Sequence, residues 1–188
     1  SITIDTVAPS APESLDLASA SDNGISDSDD ITSTTTPTFT GTAEEDSTIE
    51  VISDGSSLGT ATADSNGDWT FTVSSALDIG THAITATSTD AAGNVSDSSS
   101  ELSITIGATF VDRGSLNTAV AAWIANETNA TATYGDINDW DVSAITDFSY
   151  LIPSNYKVGV VSYYYAFNSD ISNWDVSSGT NFTSMFDG

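Results

Sequence analysis

Asp64-Ser65-Asn66-Gly67-Asp68-Trp69-Thr70-Phe71-Thr72-Val73-Ser74 reads as a turn followed by a strand. Trp69, Phe71 and Val73 alternate with Asp68, Thr70 and Thr72. Successive side chains of a strand point to opposite faces, so the apolar set is assigned to a core and the polar set to water. Ile49 and Val51 repeat the alternation upstream. Asn66-Gly67 suits the positive φ of a tight turn, and a hairpin joining this strand to the preceding run is expected.

Working outward, Thr, Val and Ile-rich segments separated by Gly, Asp, Asn and Ser clusters fill the chain from Ser1 to about Ile106. The expected strands are Leu15–Ala18, Pro37–Glu44, Ser47–Ser53, Gly59–Ala63, Asp68–Ser74, His82–Thr89 and Ser100–Ile106. Seven short strands in about a hundred residues indicate an immunoglobulin-like β-sandwich over residues 1–107.

Residues 108–188 follow a different pattern. Leu116, Ala119, Val120, Trp123 and Ile124 recur at helical spacing, with Asp112 or Ser115 placed to cap about three turns of amphipathic helix. An internal repeat follows. Asp136-Ile137-Asn138-Asp139-Trp140-Asp141-Val142-Ser143 returns as Asp170-Ile171-Ser172-Asn173-Trp174-Asp175-Val176-Ser177, and the register continues through Thr146/Thr180, Phe148/Phe182 and Leu151/Met185. The offset, 174 − 140 = 34 residues, exceeds the ~20 to 29 of a leucine-rich coil, so a loop around Pro153–Tyr164 is expected to interrupt the register. The fold class read from this is mostly β: a sandwich followed by a helix-capped, truncated β-solenoid of leucine-rich-repeat type. Two coils are fewer than the roughly three that bury a continuous core.

The charge narrows the function. The chain carries 27 acidic residues against two basic ones, Arg113 and Lys157, a formal net charge of −25. Self-repulsion at that charge opposes compaction unless cations neutralise converging carboxylates. Calcium suits the donor set: carboxylates, hydroxyls and carbonyls abound, cysteine is absent, and His82 is the single histidine. Two cationic side chains form no footprint for nucleic acid or an anionic membrane. Apolar residues make up 38% of the chain, enough for a core, and no apolar run spans a bilayer. The start at Ser1, without an initiator Met, reads as a piece of a longer protein. The missing cysteine agrees with an extracellular protein that relies on metal for rigidity.

The first half resembles the bacterial immunoglobulin-like repeats of giant secreted adhesins of the biofilm-associated and RTX types. The residues that carry the resemblance are Asp5-Thr6-Val7-Ala8-Pro9, the run from Ser21 to Thr32, Thr36-Pro37-Thr38-Phe39-Thr40-Gly41-Thr42-Ala43-Glu44, Gly59 to Asp64, Gly67-Asp68-Trp69 and Thr89-Asp90-Ala91-Ala92-Gly93-Asn94. The second half resembles the BspA-like surface repeats, built on the Trp-Asp-Val-Ser core. The resemblance implies tandem sandwiches stiffened by Ca²⁺ at their junctions, neighbouring Ig-like domains as partners in the same chain, and a secreted protein at the bacterial cell surface.

Two groups of oxygen donors are the candidate metal ligands. Asp22, Asp27, Asp29 and Asp30 alternate with Gly and Ser in one loop, without the closing Glu or flanking helices of an EF-hand. Asp5, Glu44, Asp90 and Asn94 are expected to meet at the opposite pole, where Asp90 and Asn94 also have the option of simple turn hydrogen bonds. Asp141 and Asp175 are expected to brace coil turns. His82 is expected to pack or hydrogen-bond rather than catalyse, because no nucleophile or acid accompanies it at a recognisable spacing. Tyr163, Tyr164 and Tyr165 are core or a stacking surface for a sugar ring. The functional reading is a non-enzymatic adhesin module in which a calcium-stiffened stalk presents a repeat domain to a protein or glycan. The alternative is self-assembly as a structural unit of a filament, sheath or surface layer.

Overall fold

A computed structural model describes residues 4–23, 26–153, 155–158, 161–164 and 167–187. The chain forms two compact units, Ser1–Thr105 and Ile106–Gly188.

The first unit is made of β1 (Glu13–Leu17), β2 (Ile31–Thr32), β3 (Thr38–Thr42), β4 (Thr48–Ser53), β5 (Ser56–Thr62), β6 (Asp68–Thr72), β7 (Gly80–Thr89) and β8 (Leu102–Ile106). One sheet has the order β1-β3-β6 and the other β2-β8-β7-β4-β5. Phe39, Ile49, Val51, Ile84, Ala86 and Ile104 are fully buried, and Leu17, Trp69, Phe71 and Val73 nearly so. The alternation read from Trp69-Thr70-Phe71 and Ile49-Glu50-Val51 therefore marks the inner faces of the two sheets correctly. Pairing is tight where β3 meets β6. Gly41 stands opposite Trp69, and a Cβ there would lie 2.5 Å from the indole ring.

The turn at Asn66-Gly67 forms but does not make the expected hairpin. Asp64 closes it by accepting the N–H groups of Asn66 at 2.7 Å and Asp68 at 3.0 Å. The strands it joins then part. β5 pairs with β4, whereas β6 pairs with β3 in the other sheet. Trp69 and Phe71 find their cover in the opposite layer, and burial decides the pairing. The hairpin of this region is instead β4–β5, across Asp54-Gly55, whose φ values of 51° and 78° make a turn of the twist that hairpins favour.

In the second unit, α1 (Arg113–Ala125) buries Leu116, Ala119, Val120 and Trp123 of the expected stripe and leaves Ile124 half-buried at its edge, and Asp112 is its cap, accepting the Ser115 N–H at 2.9 Å. A second helix, α2 (Glu127–Tyr134), follows with Asn126 as both the end of one helix and the cap of the next. Its sequence, Glu-Thr-Asn-Ala-Thr-Ala-Thr-Tyr, has no apolar period, and only Ala130 is buried. The remaining strands are short: β9 (Ile152–Pro153), β10 (Asn155–Val158), β11 (Val161–Tyr164) and β12 (Phe186–Asp187). Within the stretch Pro153–Tyr164, where a loop is expected to interrupt the register, β10 and β11 pair antiparallel.

The two repeat turns stack in parallel at the offset read from the sequence. Ile152 pairs with Phe186 and Asp147 with Asn181, and the N–H groups of Phe148, Tyr150 and Ile152 donate to the carbonyls of Asn181, Thr183 and Met185. Ahead of α1, Thr109 pairs in parallel with Asp141, and a Cβ on Gly107 would overlap the Asp139 carbonyl. One apolar cluster, including Phe110, Leu116, Trp123, Trp140, Phe148 and Trp174, runs through the unit.

Candidate functional site

The 22–30 loop leaves β1 and returns at β2. Ser21 anchors it, its hydroxyl accepting the Thr38 N–H at 3.0 Å, while Asn23 Oδ1 accepts the Ser33 N–H at 2.8 Å and the Thr32 and Ser33 hydroxyls. Asp22 is 4% exposed. Its Oδ2 accepts the Asp30 N–H at 3.3 Å, and its Oδ1 is buried without a hydrogen-bond partner among the described residues. Burial holds the Asp22 carboxyl above the usual carboxylate range, and the charges of Asp29 and Asp30 add to the effect against the Asp30 N–H. Asp30, in the left-handed region at φ 61°, is raised by burial and then by Asp16 and Asp29. The charges of Asp29 and Asp30 thus act on Asp22, and that of Asp16, which the sequence reading did not include, acts on Asp30. Asp27 is exposed. Gly24 and Ile25, also part of the expected motif, lie outside the described residues.

Three members of the second group come together. Asp90 Oδ1 accepts the N–H groups of Ala92 and Asn94, both at 2.8 Å, and its Oδ2 accepts the Asn94 Nδ2–H at 2.7 Å. The Asn94 amide also reaches the Asp5 carbonyl at 3.4 Å, and Asp5 Oδ1 accepts the Val7 N–H at 3.0 Å. Asn94 is the main reason the Asp90 carboxyl lies below the usual range. These are the turn hydrogen bonds that the spacing permitted. Glu44 is exposed, and its carbonyl accepts the Ser47 hydroxyl at 2.6 Å; among the described residues its carboxylate has no hydrogen bond to Asp5, Asp90 or Asn94. Among the described residues no three Asp, Glu or His side chains form a ready metal cage.

Asp141 and Asp175 do brace the coil turns. Asp141 Oδ1 accepts the Ser143 N–H at 3.0 Å and Asp175 Oδ1 the Ser177 N–H at 2.9 Å. The same short loop recurs at Asp136 and Asp170 and at Asp147 and Asn181, always accepting the N–H two residues on. Asp170 and Asp175 are held below the usual carboxylate range first by those backbone N–H groups.

His82 is hydrogen-bonded, through Nδ1 to Asp54 Oδ2 at 2.8 Å and through Nε2 to the Asp78 carbonyl at 2.9 Å. Ser53 Oγ lies 3.4 Å from the same Nδ1. In a nucleophilic relay the serine and the carboxylate occupy different ring nitrogens. Here both share Nδ1, so the trio is not arranged as one. The partner Asp54 was missed from sequence, although Asp54-Gly55 is the stronger hairpin signal in this region. Tyr165 lies outside the described residues.

Among the described residues no helix is long and apolar enough to cross a membrane. A family model described as "Bacterial Ig-like domain" matches residues 8–107, and one described as "Mycoplasma protein of unknown function, DUF285" matches residues 126–188. No curated protein matches the chain. Among solved structures it is similar to the Clostridium thermocellum CbhA fibronectin(III)-like modules, at 19% identity and a TM-score of 0.31, covering 37% of this chain and 73% of that one. It is also similar to the Clostridium perfringens spore cortex lytic enzyme SleM, at 19% identity and a TM-score of 0.34, covering 55% of this chain and 30% of that one. Because the first family model matches more than half of the 188 residues, the chain belongs to the bacterial Ig-like domain family.

Proposed function

We propose that this chain is a non-enzymatic module of a secreted bacterial surface protein, in which a calcium-stiffened sandwich of the giant-adhesin type presents a BspA-like repeat unit to a protein or glycan. An Ig-like domain joined to a DUF285 region supports a surface-exposed repeat protein. The observation that carries the calcium reading is the buried, unpartnered Asp22 Oδ1 with Asp29 and Asp30 around it. A buried carboxylate oxygen without a donor is costly, and Ca²⁺ takes oxygen ligands of this kind. Asp22, Asp29, Asp30 and the exposed Asp27 would hold the ion only after drawing together, because among the described residues they do not already stand as a group placed to hold a metal. At the other pole, Asp5, Glu44, Asp90 and Asn94 would bind a cation only after Asn94 gives up its bond to Asp90. A bound ion would neutralise charge in a chain of net −25 and fix the 22–30 loop, making the module a rigid element of a rod.

The test is a thermal melt with parallel small-angle scattering in millimolar calcium, in magnesium at equal ionic strength, and in chelator. A rise in melting temperature specific to calcium and absent in Asp22→Asn supports the reading. Equal response to both cations would reduce it to charge screening, and no response would remove it.

A specific observation favours the assembly reading as second. Phe148 is 0% exposed but its repeat partner Phe182 is 44% exposed; Val142 is 0% and Val176 37%; Ile152 is 2% and Phe186 58%. The second turn offers the same apolar face that the first turn buries, and a second copy of the chain covering it would hide that surface. Sedimentation over a concentration series decides: association that Phe182→Ser abolishes supports it, and a monomer throughout excludes it.

A further inference from the structure

His82 sits where three segments of the sandwich meet: the β4–β5 turn, the segment leading into β7, and β7 itself. Its two ring nitrogens face two acceptors. Nδ1 is 2.8 Å from a carboxylate oxygen of Asp54, and Nε2 is 2.9 Å from the backbone carbonyl of Asp78. A neutral imidazole carries one N–H and an imidazolium two. If the neutral ring keeps its proton on Nε2, the lone pair of Nδ1 is pressed against the Asp54 carboxylate. If it keeps the proton on Nδ1, the lone pair of Nε2 faces the Asp78 carbonyl. Ser53 relieves neither conflict, because its single hydroxyl proton is shared between Asp54 Oδ2 at 3.0 Å and Nδ1 at 3.4 Å.

Asp54 cannot easily turn away. Its Oδ1 accepts the Ala83 N–H at 3.0 Å, its own N–H donates to the Ala83 carbonyl at 2.9 Å, and its backbone is in the left-handed region of the turn at φ 51°. The titratable groups facing the ring are Asp54 from the turn and Asp78 from the segment before β7, and both charges favour the cation.

We propose that His82, Asp54 and the Asp78 carbonyl form a proton-operated clasp, which holds the β4–β5 turn against the segment entering β7 while the imidazole is charged and loosens it when the imidazole is neutral. The electrostatics agree with the geometry. Burial of the ring opposes its charging, but the Asp78 carbonyl and the Asp54 carboxylate outweigh it and raise the His82 value above that of an ordinary imidazole. Asp54 is correspondingly lowered, first by the Ala83 N–H and then by His82. A raised histidine contributes its stabilisation fully below the unfolded value and loses it as pH rises through the folded one. The clasp is therefore closed on the acid side and open on the alkaline side. It is independent of any cation at the 22–30 loop.

Because the 188-residue chain has one histidine, its ring gives a single titrating NMR signal, followed in the full chain in chelator. The expected result is a midpoint above that of an ordinary imidazole, with the amide signals of Asp54, Gly55 and Ala83 moving at the same midpoint. Asp54→Asn is expected to lower that midpoint, and His82→Gln to leave those amides flat over the same range. A wild-type midpoint at or below the ordinary value, or turn amides that ignore the titration, overturns the proposal without recourse to either variant.

Discussion

Trp140 and Trp174 lie face to face across the two repeat turns, with ring centroids 6.3 Å apart and planes within 16° of parallel. Phe148 and Phe182 do the same at 5.2 Å and 2°. Trp174 also donates its Nε1–H to the Ile137 carbonyl at 2.6 Å, so the second turn is pinned to the first by stacking and by a buried hydrogen bond.

Removing that pin separates the two contributions. Trp174→Ala deletes a ring that is 5% exposed and is expected to cost about 3–5 kcal/mol of the second unit's stability. Trp174→Phe keeps an aromatic ring and loses the hydrogen bond, leaving the Ile137 carbonyl with the Trp140 N–H at 3.4 Å, and is expected to cost less, about 1 kcal/mol. Urea unfolding followed by circular dichroism measures both: a Trp174→Phe variant as stable as wild type would show that the hydrogen bond contributes nothing, and equal losses would show that the ring adds nothing beyond it.

The aspartate turns make a prediction about chemistry rather than size. Asp141→Asn keeps an oxygen able to accept the Ser143 N–H and is expected to be nearly neutral, whereas Asp141→Ala is expected to cost about 1 kcal/mol. Equal melting temperatures for the two variants would show that the side-chain oxygen is not what holds the turn.

Acid is expected to act on the 22–30 loop and on the repeat turns in opposite directions. Asp147, Asp170 and Asp175 sit below the usual carboxylate range, so their stabilisation is present above the unfolded value and is lost as pH falls through their folded values. Asp22 and Asp30 sit above it, so without a bound cation the 22–30 loop becomes more stable as pH falls through theirs. Amide exchange resolved by residue, in chelator between neutrality and mild acid, should show protection falling at Ser172 and Ser177 and rising at Asp30. Protection changing in the same direction at all three sites contradicts this.

Two glycines are predicted to be intolerant for reasons of space. Gly41→Ala forces a methyl into the Trp69 ring and is expected to cost about 1–3 kcal/mol. At Gly107 the obstacle is the rigid Asp139 carbonyl rather than a side chain, so Gly107→Ala is expected to cost at least as much. Gly55 has nothing within 4 Å, so replacing it tests its positive φ alone. Differential scanning calorimetry ranks the three, and a Gly107→Ala variant as stable as wild type would disprove the close approach.

Much of the architecture was legible because burial leaves a periodic trace. The alternation around Trp69 and Ile49 marked inner sheet faces, the helical spacing from Leu116 to Trp123 marked α1, and the thirty-four-residue repeat predicted the register in which Trp140 meets Trp174. α2 left no such trace, because a helix that buries only Ala130 has no apolar period to read. The acidic loops were located from composition and turn residues, but their internal bonding was not. Asp90 satisfies itself on Asn94 while Asp22 leaves an oxygen unpaired, and both are written as aspartate in a polar loop.

The chain's linear order determined the longer strands of the first unit, the first helix, the charge and the spacing of the repeat, since these depend on neighbours a few residues apart or on a period; the short β2 and β9–β12 carried no such signal. Only the tertiary structure decided which strand crosses to which sheet after Asn66-Gly67, that Asp54 meets His82 from 28 positions away, and that the charge of Asp16 acts on Asp30. Those outcomes depend on which surfaces exclude water together, and no local pattern encodes the partner of a buried face or a desolvated charge.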